Sequence, residues 1–111
     1  PQDNIERVLK KTAAADQLEE IVIEAYGPGN TAMIIDCITD NRNRTIAEIR
    51  HLLQENNAKM AEVGSVRWAF DGDTPKFPQK AAEAVQEKIH SLIAALEQRD
   101  DVQRVITNIQ N

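Results

Sequence analysis

The run Asp40-Asn41-Arg42-Asn43-Arg44-Thr45 places two guanidinium groups and two carboxamides at the mouth of a predicted helix. Free N–H groups and the helix dipole favour anions at such a position, and guanidinium forks match the geometry of phosphate oxygens. Between positions 41 and 60, Arg42, Arg44, Arg50 and Lys59 outnumber Glu48 and Glu55 by two. Between 12 and 40 the charges are Asp16, Glu19, Glu20, Glu24, Asp36 and Asp40, with no Lys or Arg. The chain is thus electrically two-sided, and Arg42, Arg44, Arg50, Asn41 and Asn43 are its candidate phosphate contacts. The competing expectation is that Arg42 and Arg44 pair with Asp40, Glu48 or the acids of the 71–77 loop.

A second candidate is Tyr26-Gly27-Pro28-Gly29. Glycine loops expose backbone N–H groups, but Pro28 removes a donor and no Lys follows as in a P-loop. The segment reads either as a rigid hairpin turn or as a stiff tip that contacts a partner. Catalytic constellations do not assemble. His51 and His90 fall on different predicted helices, and no Ser-His-Asp, Cys-His or HExxH arrangement can be written. Cys37 lies among Ile34, Ile35 and Ile38 and reads as a small buried hydrophobe. Asp71-Gly72-Asp73 lacks the further oxygen ligands of a calcium loop and reads as a plain turn. No enzyme, metal site, cofactor or small-molecule substrate is expected. Trp68 shares an expected strand face with Val66 and Phe70, so core or sheet cover is its first reading and stacking on a nucleobase the second.

Composition narrows the classes further. The 111 residues carry a net charge of −5, are 41% hydrophobic and contain only 4% aromatics. An acidic balance argues against a histone-like or tail-type polyanion binder, although a local basic patch is compatible with it. So few rings argue against a base-stacking platform of several aromatics. One Cys excludes an intramolecular disulfide framework and any multi-cysteine zinc site. No apolar run approaches the ~20 residues of a membrane span, and no signal-peptide pattern is visible. An intracellular, reducing compartment is therefore expected. The chain opens on Pro1 rather than Met, which suggests processing or an excised fragment.

The elements that must position these residues follow from periodicity. Gln2 to Lys11 reads as a short helix capped by Asp3 and Glu6, and 12–17 as its linker. Glu19 to Tyr26 and Thr31 to Thr39 read as strands joined by the Gly27–Asn30 turn. Thr45 with Glu48 forms a predicted capping box, and Ile46, Ile49, Leu52 and Leu53 then repeat at helical spacing to about Asn56. Val63 to Phe70 is a predicted third strand, Pro78 to Gln98 the longest helix, and Val102 to Ile109 the last strand. Each long helix has one apolar face, so both belong on one side of one sheet. The expected fold is α+β: a two-layer sandwich, ferredoxin-like in character, with a four-stranded mixed sheet and a short N-terminal helix. Its core would hold Ile21, Ile23, Ile34, Leu52, Val66, Ile89, Leu92 and Val105. Residues 18–111 are expected to form one domain, with the hairpin tip at one end and the 71–77 loop at the other, near Arg42 and Arg44.

Several segments taken together resemble the YebC/PmpR-type regulatory proteins, a family that includes the mitochondrial translational activator of cytochrome c oxidase. They are Asp3-Asn4-Ile5-Glu6-Arg7, Tyr26-Gly27-Pro28-Gly29, Thr39 to Thr45 with Glu48-Ile49-Arg50-His51, Gly64-Ser65-Val66, and Asp100 to Gln103 with Asn108. The resemblance implies that a basic N-terminal helical domain and an α/β domain inserted after the strand matching Val66 to Phe70 are both lacking. The connector at 71–80 is then a shortened crossing of the insertion site. It further implies a non-enzymatic regulator of gene expression, either a DNA-binding transcriptional regulator or a ribosome-associated translation factor. Its partners would be DNA, ribosomal RNA or the ribosome, in the cytoplasm, or in the mitochondrial matrix for a eukaryotic member. The alternative is a protein–protein module that dimerises through an uncovered sheet face or edge.

Overall fold

Two consecutive eight-residue runs make the centre of the sheet. In the computed structural model, which describes residues 18–109, β1 (Glu19–Tyr26) and β2 (Ala32–Thr39) pair antiparallel from Glu19↔Thr39 to Tyr26↔Ala32. The helix and linker expected over 1–17 lie outside the described residues. Alternation along the strands sends Ile21, Ile23 and Ala25 to the same face as Cys37, Ile35 and Met33. That face is covered by α1 (Arg42–Glu55) and α2 (Glu83–Glu97), whose Ile49, Leu53, Leu92 and Leu96 complete a dry core. Both long helices thus lie on one side of the sheet, as the two-layer α+β expectation requires.

The sheet is completed by β3 (Lys59–Met60) beyond β1 and β6 (Val102–Thr107) beyond β2, giving the order β3-β1-β2-β6. All these pairs are antiparallel rather than mixed. A parallel pair would need β3 beside β2 or β6 beside β1. Each instead takes the outer edge of the strand that runs against it.

The largest departure from the expected elements is the third strand. Val63 to Phe70 is not a strand of this sheet. Its edge position is taken by Lys59–Met60, and the chain then turns through Gly64 (φ 87°) into a 3-10 turn at Arg67–Ala69. The cause is Glu24, a buried carboxylate on the face opposite the helices. One of its oxygens accepts N–H bonds from Val66 (2.8 Å) and Arg67 (2.6 Å), and the other accepts from Gly64. Backbone donors that wrap a carboxylate are unavailable to a strand ladder.

The wrapped segment continues into a small hairpin, β4 (Phe70–Asp71) and β5 (Thr74–Pro75), and lies over the far face of the sheet. There Ala32, Ile34, Val66, Ala69 and Phe70 form a second core, with Tyr26 and Ile106 at its margin. Ile34 and Val66 therefore belong to this second core. Leu52 and Val105, also expected in the interior, are half-buried at the edge of the first. The far face, expected to be uncovered, is covered at the hairpin-tip end and open around Val22, which is 48% exposed.

Three boundaries also shift. Helix α1 starts at Arg42 because Asn41, not Thr45, caps it. Helix α2 starts at Glu83 because Gln79 bridges Ile109 and donates its N–H to the Asn108 carbonyl (2.7 Å), which keeps the 78–82 stretch extended. Strand β6 ends at Thr107, where the Asn108 side chain turns in to accept the Ala32 N–H (3.0 Å).

Candidate nucleic-acid interface

The mouth of α1 is built by hydroxyl and amide caps. Asn41 Oδ1 accepts the Arg44 N–H (3.1 Å), and the Asn41 N–H is bound by Thr39 Oγ1 (3.0 Å). Inside the helix, buried Thr45 donates to Asp101 Oδ2 (2.8 Å) and can then only accept from Thr39 Oγ1 (2.8 Å). Asp101 also takes a fork from Arg99, with Nε and Nη2 each at 2.9 Å, while the same Nη2 reaches Glu48 at 2.6 Å. Burial pushes the Asp101 carboxyl up, but the Arg99 and Thr45 hydrogen bonds outweigh it and hold it below the usual carboxylate range. Hydrogen bonds to Asp101 and, against the opposing effect of burial, to Glu48 raise the Arg99 guanidinium. This network pins α1 to the loop before β6, and it occupies Asn41 and one helix-mouth N–H that could otherwise receive an anion.

The arginines stand outside this network. Arg42 Nη1 lies 3.4 Å from Glu19 and Arg44 Nη2 lies 3.3 Å from Asp40, yet the two side chains remain 53% and 52% exposed. Pairing with a carboxylate therefore occurs for both, but neither is locked away from solvent, and exposed pairs of this kind contribute little. The acids expected near them from the 71–77 loop are elsewhere, since Asp73 crosses the far face and binds Arg104, which also forks Asp36.

Helical spacing of about 100° per residue divides the exposed surface of α1 into two flanks. Asn43, Ala47, Arg50 and Gln54 make one flank, without an acid, where Arg50 Nη2 reaches Met60 Sδ of β3 at 3.8 Å, while Arg42 opens the stripe that continues as buried Thr45, Ile49 and Leu53 and pairs with Glu19. Arg44, Glu48, His51 and Glu55 make the other, which carries the Arg99–Glu48 pair and a His51–Glu55 contact of 3.5 Å. The structure thus places Asn43 and Arg50 on one flank and Arg42 at the mouth of the helix beside Glu19. It separates Arg44, which shares an open groove with Asp40, Glu48 and Asp101, and it assigns Asn41 to the cap.

At the other end of β2, the tip is folded against its own chain. A 3-10 turn, Pro28–Asn30, is closed by Gly27 N–H to Thr31 O (2.8 Å) and by Thr31 Oγ1 to Pro28 O (2.9 Å). A Cβ on Gly27 would sit 2.7 Å from Met33 Sδ, so only glycine allows this approach. Gly27 and Pro28 are buried and Tyr26 is half-buried. Gly29 is exposed, but its carbonyl accepts from Gln79 Nε2 (3.1 Å).

Comparison with known proteins gives the geometry a context. A family profile described as "TACO1/YebC second and third domain" matches residues 18–74. The chain belongs to the TACO1/YebC family. A probable transcriptional regulatory protein of Desulfotalea psychrophila is 47% identical over 74 residues, covering 64% of this chain and 30% of that protein. One from Desulfosudis oleivorans is 36% identical over 121 aligned residues, covering all of this chain and 48% of that protein. This TACO1/YebC chain therefore spans between under a third and about half the length of these relatives. The crystal structure of a conserved hypothetical protein from Aquifex aeolicus superposes with a TM-score of 0.81 at 24% identity, covering 99% of this chain and 73% of that one, a likeness of fold.

Other reactive groups of this family member are accounted for structurally. Cys37 is buried, and burial with the nearby Asp101 charge pushes its thiol up to about 12, so it stays protonated at neutral pH. His51 and His90 are exposed on separate helices. Among the described residues no group of three or more His, Cys, Asp or Glu could hold a metal ion, and no helix is long and apolar enough to cross a membrane. Sequence reading missed two things. One is the Glu24 carboxylate with its backbone donors, for which an acid placed between Ile23 and Ala25 is the signal. The other is the exposure of Trp68, which is 62% accessible rather than core.

Proposed function

We propose that this chain is a non-enzymatic part of a gene-expression regulator and that it binds nucleic acid through the Asn43–Arg50 flank of α1 together with Arg42 at the helix mouth. The observation that carries the reading is that Arg50 lies on a flank of α1 without an acid and Arg42 at the helix mouth stays 53% exposed beside Glu19, on a chain whose net charge is −5. A polyanion meets local attraction there and general repulsion elsewhere, which favours one orientation of docking. The names of the relatives, probable transcriptional regulatory proteins, support a regulator role, and DNA and ribosomal RNA are the two targets this reading puts to the test. Such a regulator works in the bacterial cytoplasm. Arg44 and Asn41 have lesser roles, because one lies among acids and the other holds the cap.

The test is a titration of labelled duplex DNA and of a ribosomal RNA fragment at several salt concentrations. Arg42→Glu with Arg50→Glu is expected to weaken binding and to flatten the plot of log K against log salt. On duplex DNA the slope should fall by roughly 0.9 for each phosphate that is no longer neutralised. Arg44→Glu is expected to change both less. Thermal stability stays close to that of the parent, since the Arg42 and Arg44 pairs are half-exposed and Arg50 lies on the surface. Unaltered affinity and slope in the double variant would reject the flank. A dimerisation module is the second reading, favoured by the open part of the far face around Val22. A dimer by light scattering with no nucleic-acid binding would select it.

A further inference from the structure

The chain has four aromatic residues, and three of them, Tyr26, Trp68 and Phe77, line one cleft. The fourth, Phe70, is buried in the second core beneath it. Trp68 and Phe77 are each 62% exposed, with ring centroids 5.9 Å apart and planes inclined at 58°. Large apolar rings so exposed on a small chain mark a surface that meets something. Their positions are built rather than incidental. The Ser65 carbonyl accepts from Trp68 Nε1 (2.8 Å) and, more weakly, from the Tyr26 hydroxyl (3.5 Å). Ser65 itself lies in the turn whose backbone wraps Glu24. On the other side, the Phe77 carbonyl lies 3.5 Å from Asn108 Nδ2. The polar edges of two rings are thus occupied internally while the ring pair stays open to solvent.

We infer that this cleft receives an unpaired nucleobase, stacked against Trp68 and Phe77, so that the nucleic acid is single-stranded where it crosses this end of the molecule. The inference rests on the reading given under Proposed function and extends it. Two arguments select a base over other occupants. The first is size: the cleft holds about 180 Å³, below the ~300–1,000 Å³ of pockets for larger ligands and suited to a single ring. A stable protein interface needs roughly 800 Å² from each partner, far more than two rings supply. The second is charge. The acid-free flank of α1 leads to the sheet edge, where Arg50 touches Met60 and Lys59 Nζ lies 5.9 Å from the centre of the Tyr26 ring. Arg67 and Lys76, both exposed, adjoin Trp68 and Phe77 in sequence. Of the acids in this segment, Asp73 is bound to Arg104, leaving exposed Glu62 and Asp71 as the opposing charges. Cations at Arg50 and Lys59 thus lead across the sheet edge to the cleft that the ring pair lines. Backbone-tracking charge combined with stacking rings is how single strands are held.

Trp68 is the chain's single tryptophan, so its emission reports on the cleft directly. The probes are a 12-nucleotide oligo-dT, an oligo-rU of equal length, the same dT strand with abasic central positions, and a duplex, with occupancy followed by anisotropy of a labelled strand. Base-bearing single strands are expected to quench Trp68 saturably, and the abasic strand and duplex not to do so at equal occupancy. Trp68→Ala is expected to weaken oligo-dT binding by about 5- to 150-fold, the range for removal of one stacked base, with abasic-strand binding unchanged. Trp68→Phe should restore most of the affinity. Equal affinity for abasic and base-bearing strands, or full affinity in Trp68→Ala, overturns the inference. If charge reversal at Arg42 and Arg50 still weakens binding in that case, the phosphate flank stands and only the cleft falls. A dimer in light scattering that Trp68→Ala dissolves would also overturn it, assigning the rings to a second copy.

Discussion

The two faces of the sheet are covered by different means. On one, α1 and α2 lay regular apolar stripes onto Ile21, Ile23, Met33 and Ile35, and fully buried side chains such as Ile49, Leu53, Leu92 and Leu96 interlock. On the other, the irregular segment 61–77 covers the hairpin-tip end with a smaller core, and the buried carboxylate of Glu24 determines its path. The first face draws its stability from apolar area removed from water. The second draws it from three backbone hydrogen bonds to one charge, which are strong when complete and costly when one side is missing. The helix-covered face carries the arginine flank on its outer surface, and the far face carries the aromatic cleft.

The sharpest way to test that division is to damage the first face alone. Leu53→Ala empties a fully buried site and is expected to cost about 2–5 kcal/mol in urea unfolding. That is a large share of the roughly 5–15 kcal/mol by which proteins are stable. Below the unfolding transition, acrylamide quenching of Trp68 should match the parent protein, because no part of the wrapped segment rests on Leu53. Altered Trp68 accessibility in native Leu53→Ala would mean that the two faces act as one unit.

Glu24→Gln makes the complementary cut. The amide retains one acceptor but turns an N–H₂ toward backbone donors, with an expected cost of about 1–3 kcal/mol. Here the native state itself should change: Trp68 emission should shift to the red and its quenching rate should rise, since Gly64, Val66 and Arg67 lose their common acceptor. A variant with lower stability but unchanged Trp68 would show that the second core, not the carboxylate, holds the segment.

The same division explains what could be read from the sequence. The β1–β2 hairpin, the sides of both helices and most of the first core were legible because alternation and helical spacing report apolar burial directly. The path of 61–77 was not. Val63 to Phe70 has the composition of a strand, yet its N–H groups are bound to a glutamate some forty residues earlier, and no local pattern reports a long-range polar contact. The third strand was misplaced for a related reason, because two residues at Lys59–Met60 suffice for an edge. At the candidate site, the run of arginines was visible, but its division into two flanks depends on a cap at Asn41, which sets where the helix begins. The cleft was hidden by scarcity: four aromatics suggest no platform until three of them meet. The Thr45–Asp101–Arg99 network depends on residues more than fifty positions apart and left only the neighbouring Asp100-Asp101 pair as a trace.

A pH titration separates the faces at smaller amplitude. Glu24 is pushed up by burial, but its hydrogen bonds from Gly64, Val66 and Arg67, with the Arg67 charge, outweigh this and hold it below its ordinary value of 4.5. A carboxyl lowered in the folded state contributes stability that is fully present above the unfolded value and is lost as pH falls through the folded one. The unfolded chain takes up its proton first, so stability should decline from about pH 4.5 downward. Asp101 is lowered from 3.8 by Arg99 and Thr45 and should add to the decline at still lower pH. One such group can contribute at most about 1.4 kcal/mol per pH unit, the slope for one proton. In urea unfolding at stepped pH, Glu24→Gln should therefore show a shallower decline than the parent between about pH 4.5 and 3, by no more than that slope, while Leu53→Ala should run parallel to the parent. If Glu24→Gln and the parent decline with the same slope, burial and the hydrogen bonds from Gly64, Val66 and Arg67 offset one another at Glu24, and the linked proton is lost as a way to tell the faces apart.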